Sequence, residues 1–237
     1  MRLIGAAAWL STALLLTNAG LLAQEKSVRP GINDAFKDPD IQEWVKKFEV
    51  ESREVYEQRK QIVAACKIQP GQSVADIGAG TGLFTRLFAD AVGQHGTVYA
   101  VDIAQKFLDH ISATAKQQGI HHVKTILGTD TSPKLPDRSV DVVFLCDTYH
   151  HFEFPQRMLT AIHRALKPGG RLIVIDFIRI EGKSSDWILK HVRAGQEVVE
   201  REIGECGFRK TAQVDGLLRE NYFVIFDKIE PDAKTGK

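Results

Sequence analysis

Cysteine is scarce. The chain has three in 237 residues, Cys66, Cys146 and Cys206, odd in number and far apart. That spacing makes neither a disulfide framework nor a thiolate metal cluster, so buried thiols are the economical reading. An excess of charge of one sign is also lacking: 31 Lys and Arg against 30 Asp and Glu leave a formal charge of +1. Basic residues are scattered among acids with no basic block, and no nucleic-acid partner is expected. There is no internal repeat and no low-complexity segment. Against these absences, a hydrophobic content of 43% is enough for a sizeable core in one decorated domain.

One long uncharged run is present, at the start. Met1-Arg2 precedes residues 3–23, and the polar Gln24-Glu25-Lys26 follows. A positive start, an apolar middle and a small residue at the end resemble a bacterial secretory signal, with cleavage expected after Ala23 or Ala19. The same run is long enough to span a bilayer if it is not cut. The expectation is an exported or periplasmic protein, with an uncleaved membrane anchor through residues 3–23 as the alternative. No lipobox cysteine is present, which argues against a lipoprotein.

Residues 27–39 are polar, contain Pro30, Gly31 and Pro39, and read as a linker. Asp40 is placed to cap a helix with Ile41, Trp44, Val45, Phe48, Val55 and Tyr56 on one side, continuing through Ile62 and Val63 until Pro70-Gly71 stops it. Trp44, Phe48 and Tyr56 read as core residues at helical spacing, and Arg53 and Arg59 as a solvated face that could also reach an anionic group.

Beyond Gly71, strand and helix patterns alternate. Strands are predicted at 73–77, 97–101, 123–127, 140–145 and 171–177, and helices at 81–91, 105–118 and 155–166. Short buried strands alternating with helices imply a parallel sheet covered on both faces, with ligands at the carboxyl ends of its strands. The tail differs: an amphipathic helix at 196–206 precedes strands at 208–214 and 221–228 around Gly216, which suggests an antiparallel pair. The fold class is therefore α/β, a doubly wound, mostly parallel seven-stranded Rossmann-like sheet with an antiparallel C-terminal hairpin and added N-terminal helices. Residues 24–70 form the linker and a lid helix, and 71–237 the main domain.

Residues 74–82 read Val-Ala-Asp-Ile-Gly-Ala-Gly-Thr-Gly, an apolar strand running into Asp76 and then into glycines at 78, 80 and 82. Glycines at a strand-to-helix turn admit φ > 0 and let a ligand lie on bare main chain. Leu83 stands where the dinucleotide fingerprint needs its last glycine, which points from a pyrophosphate toward a smaller adenosyl ligand. Asp102 ends the second strand, where a carboxylate can accept hydrogen bonds from both ribose hydroxyls; capping the next helix is the plainer role. After the third strand, Asp130 in Gly128-Thr129-Asp130 can take an adenine amino group between Ile103 and Leu127, or simply form a turn.

Following the fourth strand comes Cys146-Asp147-Thr148-Tyr149-His150-His151-Phe152. A histidine there can exchange a proton near neutral pH, oriented by Tyr149 or Asp147, so His150, His151 and Tyr149 are the candidate catalytic residues. The plainer alternative has one histidine packing and the other capping a helix. Adjacent histidines rarely converge on one ion and no third ligand is evident in the sequence, so no metal is expected.

Taken together, these residues resemble the class I S-adenosylmethionine-dependent methyltransferases. The resemblance is carried by residues 74–82, Asp102, Asp130, the fourth strand at 141–145 and Leu166-Lys167-Pro168-Gly169-Gly170 before the fifth, over roughly residues 71–177. More narrowly, Asp147-Thr148-Tyr149-His150-His151-Phe152, with Phe48-Glu49 and Arg53-Glu54-Val55-Tyr56, is similar to small bacterial methyltransferases of the ubiquinone/menaquinone-methyltransferase-like branch. The resemblance implies S-adenosylmethionine as cofactor, its methionine moiety near Asp76, Gly78 and Gly80, its ribose on Asp102, and its adenine beside Ile103, Thr129 and Asp130. Ala79, Gly82 and Asp147 complete the implied cofactor set. The three cysteines do not reproduce those of arsenite methyltransferases, and the Asn-Pro-Pro-Tyr type motif of adenine and glutamine methyltransferases is absent. The expected activity is methyl transfer to a small-molecule acceptor. An NAD-dependent oxidoreductase and a non-catalytic adenosyl-binding scaffold are the competing readings.

Overall fold

The computed structural model describes residues 25–230. The expected leader at 1–23 lies outside the described residues, and among those described no helix is long and apolar enough to cross a membrane. Seven strands, β1 (Ser73–Ile77), β2 (Thr97–Asp102), β3 (Val123–Leu127), β4 (Val140–Cys146), β5 (Leu166–Phe177), β6 (Phe208–Gln213) and β7 (Asn221–Lys228), form one sheet in the order β3-β2-β1-β4-β5-β7-β6. The first five are parallel, and β7 runs antiparallel between β5 and β6. The expected architecture is therefore observed, hairpin included.

Alternation along each strand sends neighbouring side chains to opposite faces. Val142, Phe144, Ile173, Ile175, Phe223 and Ile225 share one core with Ile62, Phe84 and Phe88. Val143, Leu145, Leu172, Val174, Val224 and Phe226 share the other with Leu159, Ile162 and Ile203. The first face is covered by α3 (Arg59–Ala65) and α4 (Leu83–Val92), the second by α6 (Pro155–Ala165) and α8 (Gln196–Glu205). Between α4 and β3, α5 (Gln105–Gln117) packs Ile111 on Ala79 and Ala100. Phe84, Phe88 and Phe144 meet at centroid distances of 4.9 to 6.2 Å, and each such ring contributes about 1.5–3 kcal/mol by burial.

The N-terminal segment departs from the single helix expected over residues 41–63. It forms α1 (Ile41–Phe48), capped as expected by Asp40, then α2 (Glu54–Glu57) and α3. The first break falls at Glu49, whose carboxylate leaves the helix path to accept from Thr81 Oγ1 at 2.7 Å and Arg86 Nη2 at 2.8 Å. One further helix, α7 (Asp186–His191), was not expected; Ser185 caps it, its Oγ accepting from Ile188 N–H.

The order of the sheet reverses between β1, which leads outward to β2 and β3, and β4, which leads to β5. The loops after β1 and β4 therefore face each other across a crevice at the carboxyl ends of the strands.

Candidate active site

On the β1 side of this crevice stands the glycine turn. Gly78, Gly80 and Gly82 have φ of +74°, +53° and +80°. At Gly78 a Cβ would come within 2.4 Å of the Thr148 side chain in the β4 loop, so only glycine lets the two loops approach. Asp102, buried at the end of β2, braces the turn: one oxygen accepts from Gly80 N–H and the other from Ala104 N–H, each at 2.9 Å. It thus holds both the turn and the residue ahead of α5 without capping that helix, and it lines the crevice. Asp76, also buried, accepts from Thr85 Oγ1 at 2.6 Å. Burial pushes its carboxyl up to about 7, the Thr85 hydrogen bond opposing. Burial likewise raises Asp102, against the N–H groups that favour its charge.

The N-terminal helices close over this turn. Phe48 would lie 3.2 Å from a Cβ at Gly80, Trp44 packs at a tilt against Phe48 at 4.9 Å between centroids, and Arg86 ties Glu49 to the backbone of Thr81. Farther along, Arg53 Nη2 pairs with Asp147 Oδ2 at 2.5 Å, and Asn221 Nδ2 donates to Asp147 Oδ1 at 2.6 Å. Trp44 and Phe48 are thus walls of the crevice rather than core residues, and Arg53 is a clamp rather than part of a solvated face. Asp147 itself adopts φ +50°, a left-handed conformation uncommon outside glycine and the short polar residues. The strain falls where the chain leaves β4 and enters the crevice.

After Asp147 a 3-10 turn spans Tyr149–His151. It splits the expected catalytic trio. Tyr149 is fully buried, and its hydroxyl donates to Glu202 on α8 at 2.7 Å, a carboxylate also forked by Arg193. Tyr149 therefore anchors the loop from behind and does not line the crevice, because a 3-10 turn, at about three residues per turn, points it away from the two histidines that follow. His150 and His151 do line it. Asp176 at the end of β5 accepts from both the His150 backbone N–H at 3.0 Å and the His150 ring Nδ1 at 2.7 Å. Burial disfavours charge on His150, but the Asp176 carboxylate outweighs it and raises this imidazole above its ordinary value. His151 behaves oppositely: burial, with His150, His191 and Arg29 nearby, lowers it to about 2, so it stays neutral at any working pH.

These elements enclose a cavity of about 510 Å³, within the size range of small-molecule sites. It brings together Asp76, Gly78, Ala79, Gly80, Asp102, Ile103, Thr129, Asp130, Asp147, His150 and His151 from the residues picked out in the sequence. Gly82 does not line it; it starts α4, where a Cβ would meet Ile111 at 2.7 Å. Leu127 also stays outside the lining. Sequence reasoning missed Phe36, Phe177, Trp187 and His191, which form the far wall. The signal for the last two was Ser184-Ser185-Asp186, a helix-start pattern ahead of Trp187, Ile188 and His191. Burial pushes the Cys66 thiol up to about 12 and raises Cys146, so neither is an activated nucleophile.

Residues 75–174 match the family described as Methyltransferase domain. Over 118 residues the chain is 30% identical to a demethylmenaquinone methyltransferase of Geobacillus stearothermophilus, covering 50% of each chain. It is also 30% identical to a ubiquinone/menaquinone biosynthesis C-methyltransferase of Burkholderia mallei, over 50% of this chain and 48% of that one. The chain thus spans about half the length of the curated relatives it matches. A solved S-adenosylmethionine-dependent methyltransferase of Aquifex aeolicus superposes with a TM-score of 0.70 at 23% identity, over 81% of this chain and 100% of that one, which fixes the fold. Residues 75–174 thus match a methyltransferase domain, in the fold seen in solved S-adenosylmethionine-dependent methyltransferases, and S-adenosylmethionine is the cofactor that these matches imply; they do not favour a nicotinamide enzyme.

Proposed function

We propose that this protein transfers a methyl group to a small aromatic acceptor of the quinol or phenol class, held against the far wall of the cavity. The observation that carries this reading is the cavity's two-sided lining: a glycine turn with acidic side chains at one end, and Phe36, Phe177, Trp187 and three histidines at the other. The cofactor supplies a methyl group on a positively charged sulfur. Asp102 would take the ribose hydroxyls, the turn from Gly78 to Gly80 the methionine moiety, and Ile103, Thr129 and Asp130 the adenine. The sterically confined turn supports this fit, since a Cβ at Gly78 would fill the space between the two loops.

Transfer from a sulfonium asks the protein mainly to align the acceptor and exclude water. Trp44 and Phe48 do the second, and the aromatic wall the first. If the acceptor must lose a proton, His150 is the suited base, because Asp176 fixes its Nδ1 and leaves Nε2 to the cavity. An aromatic acceptor also agrees with the quinone substrates in the names of the relatives. Incubating the protein with methyl-tritiated cofactor and a panel of quinols, catechols and phenols tests the reading. Label should appear in an aromatic product; tight cofactor binding with no labelled product from any acceptor would favour a non-catalytic scaffold. Residues 1–23 are proposed to direct export, or to anchor the protein if uncut, which mass spectrometry of the mature N-terminus decides.

A further inference from the structure

His191, from α7, completes a cluster that the sequence kept apart. Its ring centroid lies 5.1 Å from that of His150 and 5.2 Å from that of His151, while the two adjacent rings are 4.2 Å apart. One ligating nitrogen from each of the three lies within 4.8 Å of the others. The objection that no third ligand exists is thereby removed. We propose that His150, His151 and His191 hold a divalent transition-metal ion, Zn²⁺ foremost, with its open coordination position facing the cavity to receive an oxygen of the acceptor.

Three features support the site. First, the donors suit the ion: three imidazoles and one open position are a recurrent arrangement for reactive zinc. On tetrahedral zinc, at about 2.0–2.1 Å per bond, imidazole nitrogens stand roughly 3.3 Å apart. From separations within 4.8 Å, the rings would have to turn inward by up to roughly 1.5 Å to reach that spacing.

Second, one donor is waiting. His151 Nδ1 is buried and has no hydrogen-bond partner, a costly condition that an ion would relieve.

Third, the surroundings orient the rings. Asp176 grips His150 Nδ1 while also accepting from His150 N–H and Phe177 N–H, the carboxylate–histidine pairing that commonly backs a metal ligand. Asn33 Nδ2 donates to the His151 carbonyl at 3.0 Å, Phe36 packs edge-on against the His151 ring, and Trp187 stacks on His191 at 4.6 Å. The charges nearby are Asp176 and Arg29, whose guanidinium donates to the Lys190 carbonyl, with Asp147 already paired to Arg53. With the ion bound, His150 Nε2 is a ligand and no longer a base; the ion would instead lower the pKa of a bound hydroxyl, its proton leaving to water. That part of the inference rests on the methyl-transfer reading; the metal site itself does not.

The test uses tag-free protein, stripped with chelator and dialysed against Zn²⁺ or Co²⁺, with metal content read by mass spectrometry and Co²⁺ site symmetry by absorption. The wild type should retain one equivalent and show the intense visible bands of tetrahedral cobalt. Asp176→Asn, which removes no ligand, should weaken binding by about 10–100-fold, and His191→Ala by more. His191→Asp, which keeps a ligand atom, should hold cobalt with a shifted spectrum. Circular dichroism and a cofactor titration of the metal-free proteins report folding and the methyl-transfer reading separately. Zinc retention no greater in the wild type than in a variant lacking all three histidines overturns the proposal, as does His191→Ala binding Co²⁺ as tightly as the wild type.

Discussion

The two ends of the cavity are built differently. The end proposed for the cofactor comes mainly from one contiguous unit, β1 to Ile103, with Thr129 and Asp130 added after β3, and is set largely by main chain: three left-handed glycines and an aspartate bonded to backbone N–H groups. The acceptor end is gathered from residues far apart in the chain, Phe36, His150, Phe177, Trp187 and His191, and is set by side chains. The first can hold one ligand shape across many proteins, while the second can be rebuilt residue by residue without disturbing the sheet. Substitutions should accordingly separate the two ends.

The largest effect is expected at their point of contact. Gly78→Val places a branched side chain at φ +74° and into Thr148; it should lose at least about 2 kcal/mol of stability and abolish cofactor binding in calorimetry. Retained binding would mean that the two loops can part. Arg53→Ala leaves Asp147 buried beside Asn221 alone. Because Arg53 is partly exposed and Asn221 remains, the expected cost is about 2 kcal/mol in urea denaturation, below that of a fully buried pair.

Third is a pH effect confined to the cofactor end. Asp76 titrates at about 7 in the free protein, raised by burial. A cationic ligand favours its ionised form, so cofactor affinity should rise as pH increases through 7, and fall by up to about tenfold per unit below it. Calorimetry in buffers of different ionisation enthalpy should show proton release on binding near pH 6–7, and Asp76→Asn should abolish both effects. Smallest is Trp187→Ala, which removes an exposed aromatic from the far wall. It should raise the acceptor KM by roughly three- to tenfold and leave cofactor affinity unchanged; a change in cofactor affinity would erase the distinction between the ends.

The same difference explains what could be read from the sequence. Strands β1, β3 and β7 fall where their patterns put them: β1 is an apolar run ending at Gly78, β3 is rich in β-branched residues ahead of Gly128, and β7 carries the apolar run Tyr222 to Phe226. Asp102 and the glycine turn were legible because their chemistry depends on local backbone. Trp44 and Phe48 were misread as core because helical spacing marks an apolar face without saying whether protein or ligand covers it. Tyr149 was misplaced because a 3-10 turn, invisible to periodicity, turns it to Glu202. His191 was missed because its meeting with His150 spans about forty residues and depends on a six-residue helix too short to announce itself.

Calorimetric titration of the Asp102→Ala protein with S-adenosylmethionine, beside the wild type and His191→Ala, tests the central claim most directly. Loss of charge-assisted hydrogen bonds should weaken cofactor binding at least about 100-fold in Asp102→Ala, with His191→Ala matching the wild type and all three proteins folded by circular dichroism. Asp102→Ala binding with wild-type affinity would contradict the assignment of the cofactor to the glycine-turn end.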